Sequence, residues 1–249
     1  MELYYLDNSG FVLFLAQAAF VFDCWNFPQN AADAVLEKGY LQADVLSKKQ
    51  RLYLCISHAH GDHFNPRIFE FANAASQTSV IADADIPVPQ GIAHAALRPG
   101  ECFDDGYACF RAWDSTDIGI SLQIEAEGKR IFHAGDLNNW HWREESTEEE
   151  VAWAGREFTK ALDRMAPALS GGLDLAMFPV DPRMGSGIEA GAREFRERFA
   201  PAWLVPMHFS NDFARMQEFA RTDGGSCHIW APKQRGDHII IQTEGRVIR

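Results

Sequence analysis

Arg51-Leu-Tyr-Leu-Cys-Ile-Ser-His58-Ala-His60-Gly-Asp62-His63 is the stretch from which the rest of the chain is read. Its first half has the composition of a strand buried on both faces. Leu52, Leu54 and Ile56 are apolar, and Tyr53 and Cys55 between them also favour burial. The strand runs into His58, His60, Asp62 and His63 within six residues. Imidazole and carboxylate are the common nitrogen and oxygen ligands of zinc and related ions. A strand would send alternate side chains to opposite faces, so ligands this dense predict a turn that aims several at one point. Gly61 is expected to give that turn its backbone freedom.

The chain has 249 residues, enough for a sizeable core, and is read as one α/β domain over 1–249. Its formal charge of −12 provides no basic field for a phosphate backbone and argues against a nucleic-acid partner. The five cysteines, Cys24, Cys55, Cys102, Cys109 and Cys227, form no C-x-x-C pair and read as reduced thiols of a cytosolic protein. Phe11 to Phe22 is too short to span a bilayer and has Glu2 and Asp7 ahead of it, so it reads as two strands of a hairpin.

Strands are expected at 2–6, 11–16 and 19–23, with Asn8-Ser9-Gly10 as turn chemistry between the first two. Residues 31–47 read as helical in part. Asn65 and Pro66 open a helix expected to run to Ala75. Further strands are expected at 79–82, 107–113, 118–126 and 130–134, the last two a hairpin around Glu127-Gly128-Lys129. Ser146 and Glu149 suggest a capping box for a helix over 144–165. A strand at 173–178, a helix at 188–199, a strand at 203–205, a helix at 212–221 and strands near 227–230 and 238–242 complete the reading. Leu52–His58 and Trp203–His208 echo one another, each a buried strand ending in histidine.

The spacing His-x-His-x-Asp-His after a hydrophobic strand resembles the signature of the metallo-β-lactamase superfamily. The later segments Phe-His-Ala-Gly-Asp136 and Val-Pro-Met-His208 extend the resemblance over nearly the whole chain, most nearly to the branch containing the ascorbate-6-phosphate lactonase. It implies a four-layer αββα sandwich with its site at one edge. By that resemblance His58 and His60 hold one ion, and Asp62 and His63 hold a second. Asp136 bridges the two, and His208 completes the set. Many members carry another histidine before the bridging Asp. Here Asp114-Ser-Thr-Asp117 stands at that place, and Asp117 is the expected substitute, with Asp114 as the alternative and a hydrogen-bonded turn as the competing reading. His133 is read as supporting or core.

The function implied is metal-dependent hydrolysis with one or two divalent ions, zinc or manganese. A water acidified from a pKa of about 15.7 towards about 7 supplies hydroxide for attack on a carbonyl or phosphoryl centre. Asp62 is the candidate catalytic acid–base group. Arg183, in Asp-Pro-Arg183-Met-Gly-Ser-Gly187, and His141, between Trp140 and Trp142, are candidate substrate-binding residues. For His141 a packed aromatic loop is the competing reading, and for Arg183 a surface loop with a solvated side chain. A small anionic substrate follows: a lactone, ester or thioester, amide or phosphodiester. A nuclease and a non-catalytic metal-binding scaffold are the alternatives.

Overall fold

The computed structural model describes residues 1–223, 225 and 227–242. Its strands are β1 (Glu2–Asp7), β2 (Gly10–Phe14), β3 (Ala18–Phe22), β4 (Arg51–Ile56), β5 (Gln77–Asp83), β6 (His94–Leu97), β7 (Cys102–Asp104), β8 (Ala108–Asp114), β9 (Ile120–Ala126), β10 (Lys129–His133), β11 (Leu175–Pro179), β12 (Trp203–Met207), β13 (His228–Ile229) and β14 (His238–Ile240). They form two sheets of seven, ordered β14-β1-β2-β3-β4-β5-β6 and β13-β12-β11-β10-β9-β8-β7. In the first sheet β1 to β3 pair antiparallel, and β3 to β6 pair parallel. The second mirrors this, with β7 to β10 antiparallel and β10 to β13 parallel.

The faces of the strands explain this layering. In β3, Ala18, Phe20 and Phe22 point into the space between the sheets, while Ala19 and Val21 face outward. In β4, Tyr53 and Cys55 point inward, and Leu52, Leu54 and Ile56 face outward. Phe20 stacks on Tyr53 at 4.9 Å, and Tyr53 meets Phe110 of the opposite sheet at 5.0 Å. Both sides of each strand are therefore removed from water, as the apolar runs require.

The outer layer of the second sheet is made of α2 (Glu148–Leu169), α3 (Ala190–Phe199) and α4 (Phe213–Thr222). Phe158, Leu162 and Met165 of α2 and Phe195 of α3 belong to the same apolar cluster as that sheet. The outer layer of the first sheet is thinner. It holds α1 (Ala43–Leu46) and three 3-10 turns at Ala31–Asp33, Leu36–Lys38 and Pro66–Phe71. Leu36, Leu46, Ile68 and Phe71 cover that face.

The four-layer α/β sandwich stands as expected, with two local differences. The helix expected from Asn65 to Ala75 begins with the Asn65 cap, its side chain accepting from Arg67 N–H at 3.0 Å, but is a six-residue 3-10 turn. It has only Ile68 and Phe71 to bury, and the chain must return to β5 at Gln77. The helix expected over 144–165 spans Glu148–Leu169, and its capping box is one residue later than expected. Thr147 Oγ1 accepts from Glu150 N–H at 3.3 Å, and Glu150 Oε2 accepts from Thr147 N–H at 2.8 Å.

Candidate metal centre

The site forms where strands of both sheets end at one edge. β4 of the first sheet delivers His58 and then a turn in which the N–H groups of His63 and Phe64 both donate to the His60 carbonyl, at 3.0 and 2.9 Å. β10 of the second sheet leads to Asp136, and β12 leads to His208. His208 lies in the left-handed region with φ of 60°, which turns its ring back across the strand end.

The sheets approach closely here because two glycines permit it. Gly119 has φ of +76°, and a Cβ there would lie 2.4 Å from His58 Cβ and 2.3 Å from the Ser57 carbonyl oxygen. Gly135 has φ of +53°, and a Cβ there would lie 2.6 Å from the Ile120 carbonyl oxygen. Ile120 N–H donates to that Ser57 carbonyl at 3.0 Å, stitching one sheet to the other directly behind His58. Gly61 plays no such part. It has no positive φ, and nothing lies within 4 Å of a Cβ built on it, so the motif turn does not depend on glycine.

Six of the seven candidate ligands gather into two adjoining groups. One is His58, His60 and Asp136, and the other is Asp62, His63 and His208. Asp136 faces both. Its Oδ2 lies 3.3 Å from His58 Nε2, and its Oδ1 lies 3.1 Å from His63 Nε2 and 3.5 Å from His208 Nε2. His58, His63, Asp136 and His208 are buried, whereas His60 is exposed and the Asp62 side chain is 45% exposed, so the cluster opens to solvent on the side of the motif turn.

Each buried imidazole is held from behind. Asp23 Oδ2 lies 2.8 Å from His63 Nδ1, and Asp181 Oδ2 lies 3.1 Å from His208 Nδ1. Ser57 Oγ donates to Asp23 at 2.7 Å and lies 2.9 Å from His58 Nδ1. With Nδ1–H bound to these acceptors, every Nε2 turns its other face to Asp136. His58 Nε2, His63 Nε2 and Asp136 Oδ1 are buried with no aligned hydrogen-bond partner. Nitrogen lone pairs and a carboxylate converging in a dry site repel unless a metal ion or a proton lies between them. The donor set therefore fits divalent ions, which His58, His60 and Asp136 would hold on one side and Asp62, His63, His208 and Asp136 on the other.

The charges agree. Burial opposes a charge on His63, but Asp136 and Asp23 outweigh it, and its pKa is pushed up to about 10. Burial likewise opposes the Asp136 anion, yet the surrounding imidazoles hold it well below the usual carboxylate range. Asp181 is also lowered, by His208 and Arg183 against the cost of burial. The pocket is built for positive charge.

The structure does not bring Asp117 into either group. Its side chain is exposed, and its N–H donates to Ser115 Oγ at 3.3 Å, as in the hydrogen-bonded turn. Asp114 pairs with Arg164 at 3.1 Å instead. The loop meets Ser57 and His58 through Gly119. His141 is committed elsewhere too. It is buried, its Nε2 bonds the Gly187 carbonyl at 3.1 Å, and its Nδ1 accepts from Arg143 N–H at 3.2 Å. It ties two loops together and offers no free nitrogen to a substrate. Arg183 stands at the rim, its side chain 55% exposed, with Nη2 2.6 Å from Asp181 and 3.4 Å from His208 Nδ1. His133 is core, stacked on Phe22 at 5.0 Å and donating to the Ser9 carbonyl at 2.9 Å. Sequence reasoning missed Asn8, Asp23, Ser57 and Asp181. Asp23 and Asp181 carry a usable signal, since each closely follows a buried parallel strand.

No family model matches the chain. It is similar to a UPF0173 metal-dependent hydrolase of Thermus thermophilus, 24% identical over 249 residues and covering 93% of this chain and 96% of that one. Among solved structures it resembles Igni18, a metallo hydrolase from the archaeon Ignicoccus hospitalis, with a TM-score of 0.64, 15% identity and coverage of 98% and 99%. It also resembles the metallo-β-lactamase fold protein YhfI from Bacillus subtilis, with a TM-score of 0.58, 15% identity and coverage of 96% and 98%. The chain has the metallo-β-lactamase fold.

Proposed function

We propose that this chain is a metal-dependent hydrolase with a two-ion centre, acting on a small anionic substrate with a lactone, ester, thioester, amide or phosphodiester bond. One observation carries the reading: Asp136 faces both ligand groups, and His58 Nε2, His63 Nε2 and Asp136 Oδ1 are buried there with no aligned hydrogen-bond partner. The Thermus relative, named a metal-dependent hydrolase along nearly its full length, supports the reaction class.

Divalent ions in such a site supply Lewis acidity, lowering the pKa of a water and polarising the bond under attack. The protein's own groups do the rest. Asp62, half exposed at the mouth, is the group we assign to orient the attacking water and accept its proton. Asp23 and Asp181 keep the imidazoles in one tautomer. Arg183 keeps N–H groups for a carboxylate or phosphate on the substrate, since Asp181 engages only its Nε and Nη2. Trp140 packs edge-on to His208 at 5.5 Å and stacks on Trp142 at 6.1 Å, giving an apolar wall beside the second group. The net charge of −12 opposes the approach of a polyanion, which favours a small substrate over nucleic acid.

Metal analysis of purified protein, then ion re-addition and a panel of lactones, thioesters, amides and phosphodiesters, tests the proposal. Two ions per chain and turnover of a small anionic ester or lactone are expected. A protein that takes up no divalent ion would overturn it. A fully loaded protein inert across the panel would favour the scaffold reading.

A further inference from the structure

We propose that Asn8 is a positioning residue of the second ligand group, holding Asp62 and His208 in register; this rests on the metal reading above. Asn8 lies in the turn between β1 and β2, far in sequence from the ligand motif. Its Nδ2 donates to Asp62 Oδ2 at 3.0 Å, and among the described residues this is the one hydrogen bond to that carboxylate. Asp62 otherwise lies 3.6 Å from His208 Nε2 and 3.9 Å from His63 Nε2. A half-exposed aspartate on a turn keeps rotamer freedom unless something fixes it. The carbonyl of the same Asn8 accepts from His208 N–H at 3.1 Å. One residue thus ties together two members of the group that arrive from different sheets.

Asn8 is itself fixed. Its N–H donates to the buried Tyr5 hydroxyl at 2.8 Å, and the carbonyl of the next residue, Ser9, accepts from His133 Nε2 at 2.9 Å. Its φ of 52° is left-handed, which asparagine tolerates. An ionised carboxylate only accepts, so the NH₂ end of the amide must face Asp62. That leaves Asn8 Oδ1 buried without a donor. The turn needs only a residue that enters the left-handed region, which glycine also supplies. The turn does not account for a buried amide with an orphaned acceptor; a partner for Asp62 does.

Asn8→Gly removes the amide while keeping the backbone conformation and both backbone hydrogen bonds. Asn8→Ala removes the same amide at the cost of some backbone strain, so an effect common to both reports the amide. Wild type and variants are stripped of metal and titrated with zinc by calorimetry, and the visible spectrum is followed as cobalt is added. One affinity should fall about 10–100-fold in both variants, the other should stay, and the cobalt spectrum should change for one ion only. If Asn8→Gly fails to fold, Asn8→Ala carries the same reading. Unchanged affinities and spectra, or an equal loss at both sites, overturn the positioning role and leave metal binding intact. A wild type that takes up no divalent ion overturns the metal reading and this inference together.

Discussion

Asp23 Oδ2 lies 2.8 Å from Nδ1 of His63, and the same carboxylate receives Ser57 N–H at 2.8 Å and Ser57 Oγ–H at 2.7 Å. A single buried aspartate therefore orients His63 directly and His58 through Ser57. Asp23→Asn exchanges an acceptor for an amide that can present N–H to His63, which favours the wrong tautomer. Zinc affinity by chelator competition should fall about 10–100-fold. Asp181→Asn, acting only on His208, should fall less. Equal affinity in Asp23→Asn and wild type would show that the imidazoles do not depend on this carboxylate.

Close approach of the two sheets gives a second prediction. Gly119→Ala combines a left-handed alanine with a Cβ driven against Ser57 and His58. It should cost about 2–4 kcal/mol in urea unfolding and weaken ion binding. Gly61→Ala, in the middle of the motif, meets nothing and should stay within about 0.5 kcal/mol of wild type. The opposite ranking would mean that the motif turn, not the sheet junction, constrains the site.

These contrasts show what the sequence makes legible. The motif turn is readable because four candidate ligands fall within six positions, and Asp136 and His208 because each follows an apolar strand. Asp23 and Asp181 also follow such strands, but an aspartate at a strand end is equally a turn former, and only the folded edge reveals the imidazole behind which each stands. Asn8 was masked in the same way by Ser9 and Gly10. The capping box slipped because Ser146–Glu149 and Thr147–Glu150 fit the pattern equally well. His141 misleads because chain proximity to Asp136 says nothing about where its nitrogens are bonded. Asp117 misleads because it stands in a hydrogen-bonded turn, in a loop that meets His58 through Gly119.

A pH-dependent tie joins the two sheets away from the centre. Glu127, in the β9–β10 turn, accepts from the N–H groups of Ala16 and Gln17 at 2.8 Å each and from the Tyr107 hydroxyl. Burial pushes its pKa up, but these hydrogen bonds outweigh that and lower it below the usual carboxylate range. A depressed folded-state pKa gives stability that is full above the unfolded value of about 4.3 and lost as pH falls through the folded value. Glu127→Gln should therefore cost about 1 kcal/mol at pH 7, after discounting for exposure, and progressively less below about pH 4. Denaturant midpoints measured across that range check it. A penalty that is constant with pH would assign the effect to shape instead of charge.

Ion stoichiometry separates the roles of the ligands. Asp136 faces both groups, with one oxygen towards His58 and the other towards His63 and His208. Asp136→Ala should therefore lose both ions, whereas His60→Ala and His208→Ala should each lose one. Asp117→Ala and Asp114→Ala should keep both, since the first carboxylate faces solvent and the second faces Arg164. This leaves the first group with two imidazoles and one carboxylate, three protein ligands with room for a water, an arrangement that suits zinc. The second group has two imidazoles and two carboxylates and is richer in oxygen, which suits manganese better. Stripped protein given both metals should load unequally, with zinc filling the first site and manganese competing best at the second. The fold should survive throughout, because the apolar clusters that hold the sheets together include none of these ligands. Elemental analysis after gel filtration, with circular dichroism on the same samples, reads both outcomes. Loss of both ions in Asp117→Ala, with the fold intact, would return that residue to the centre.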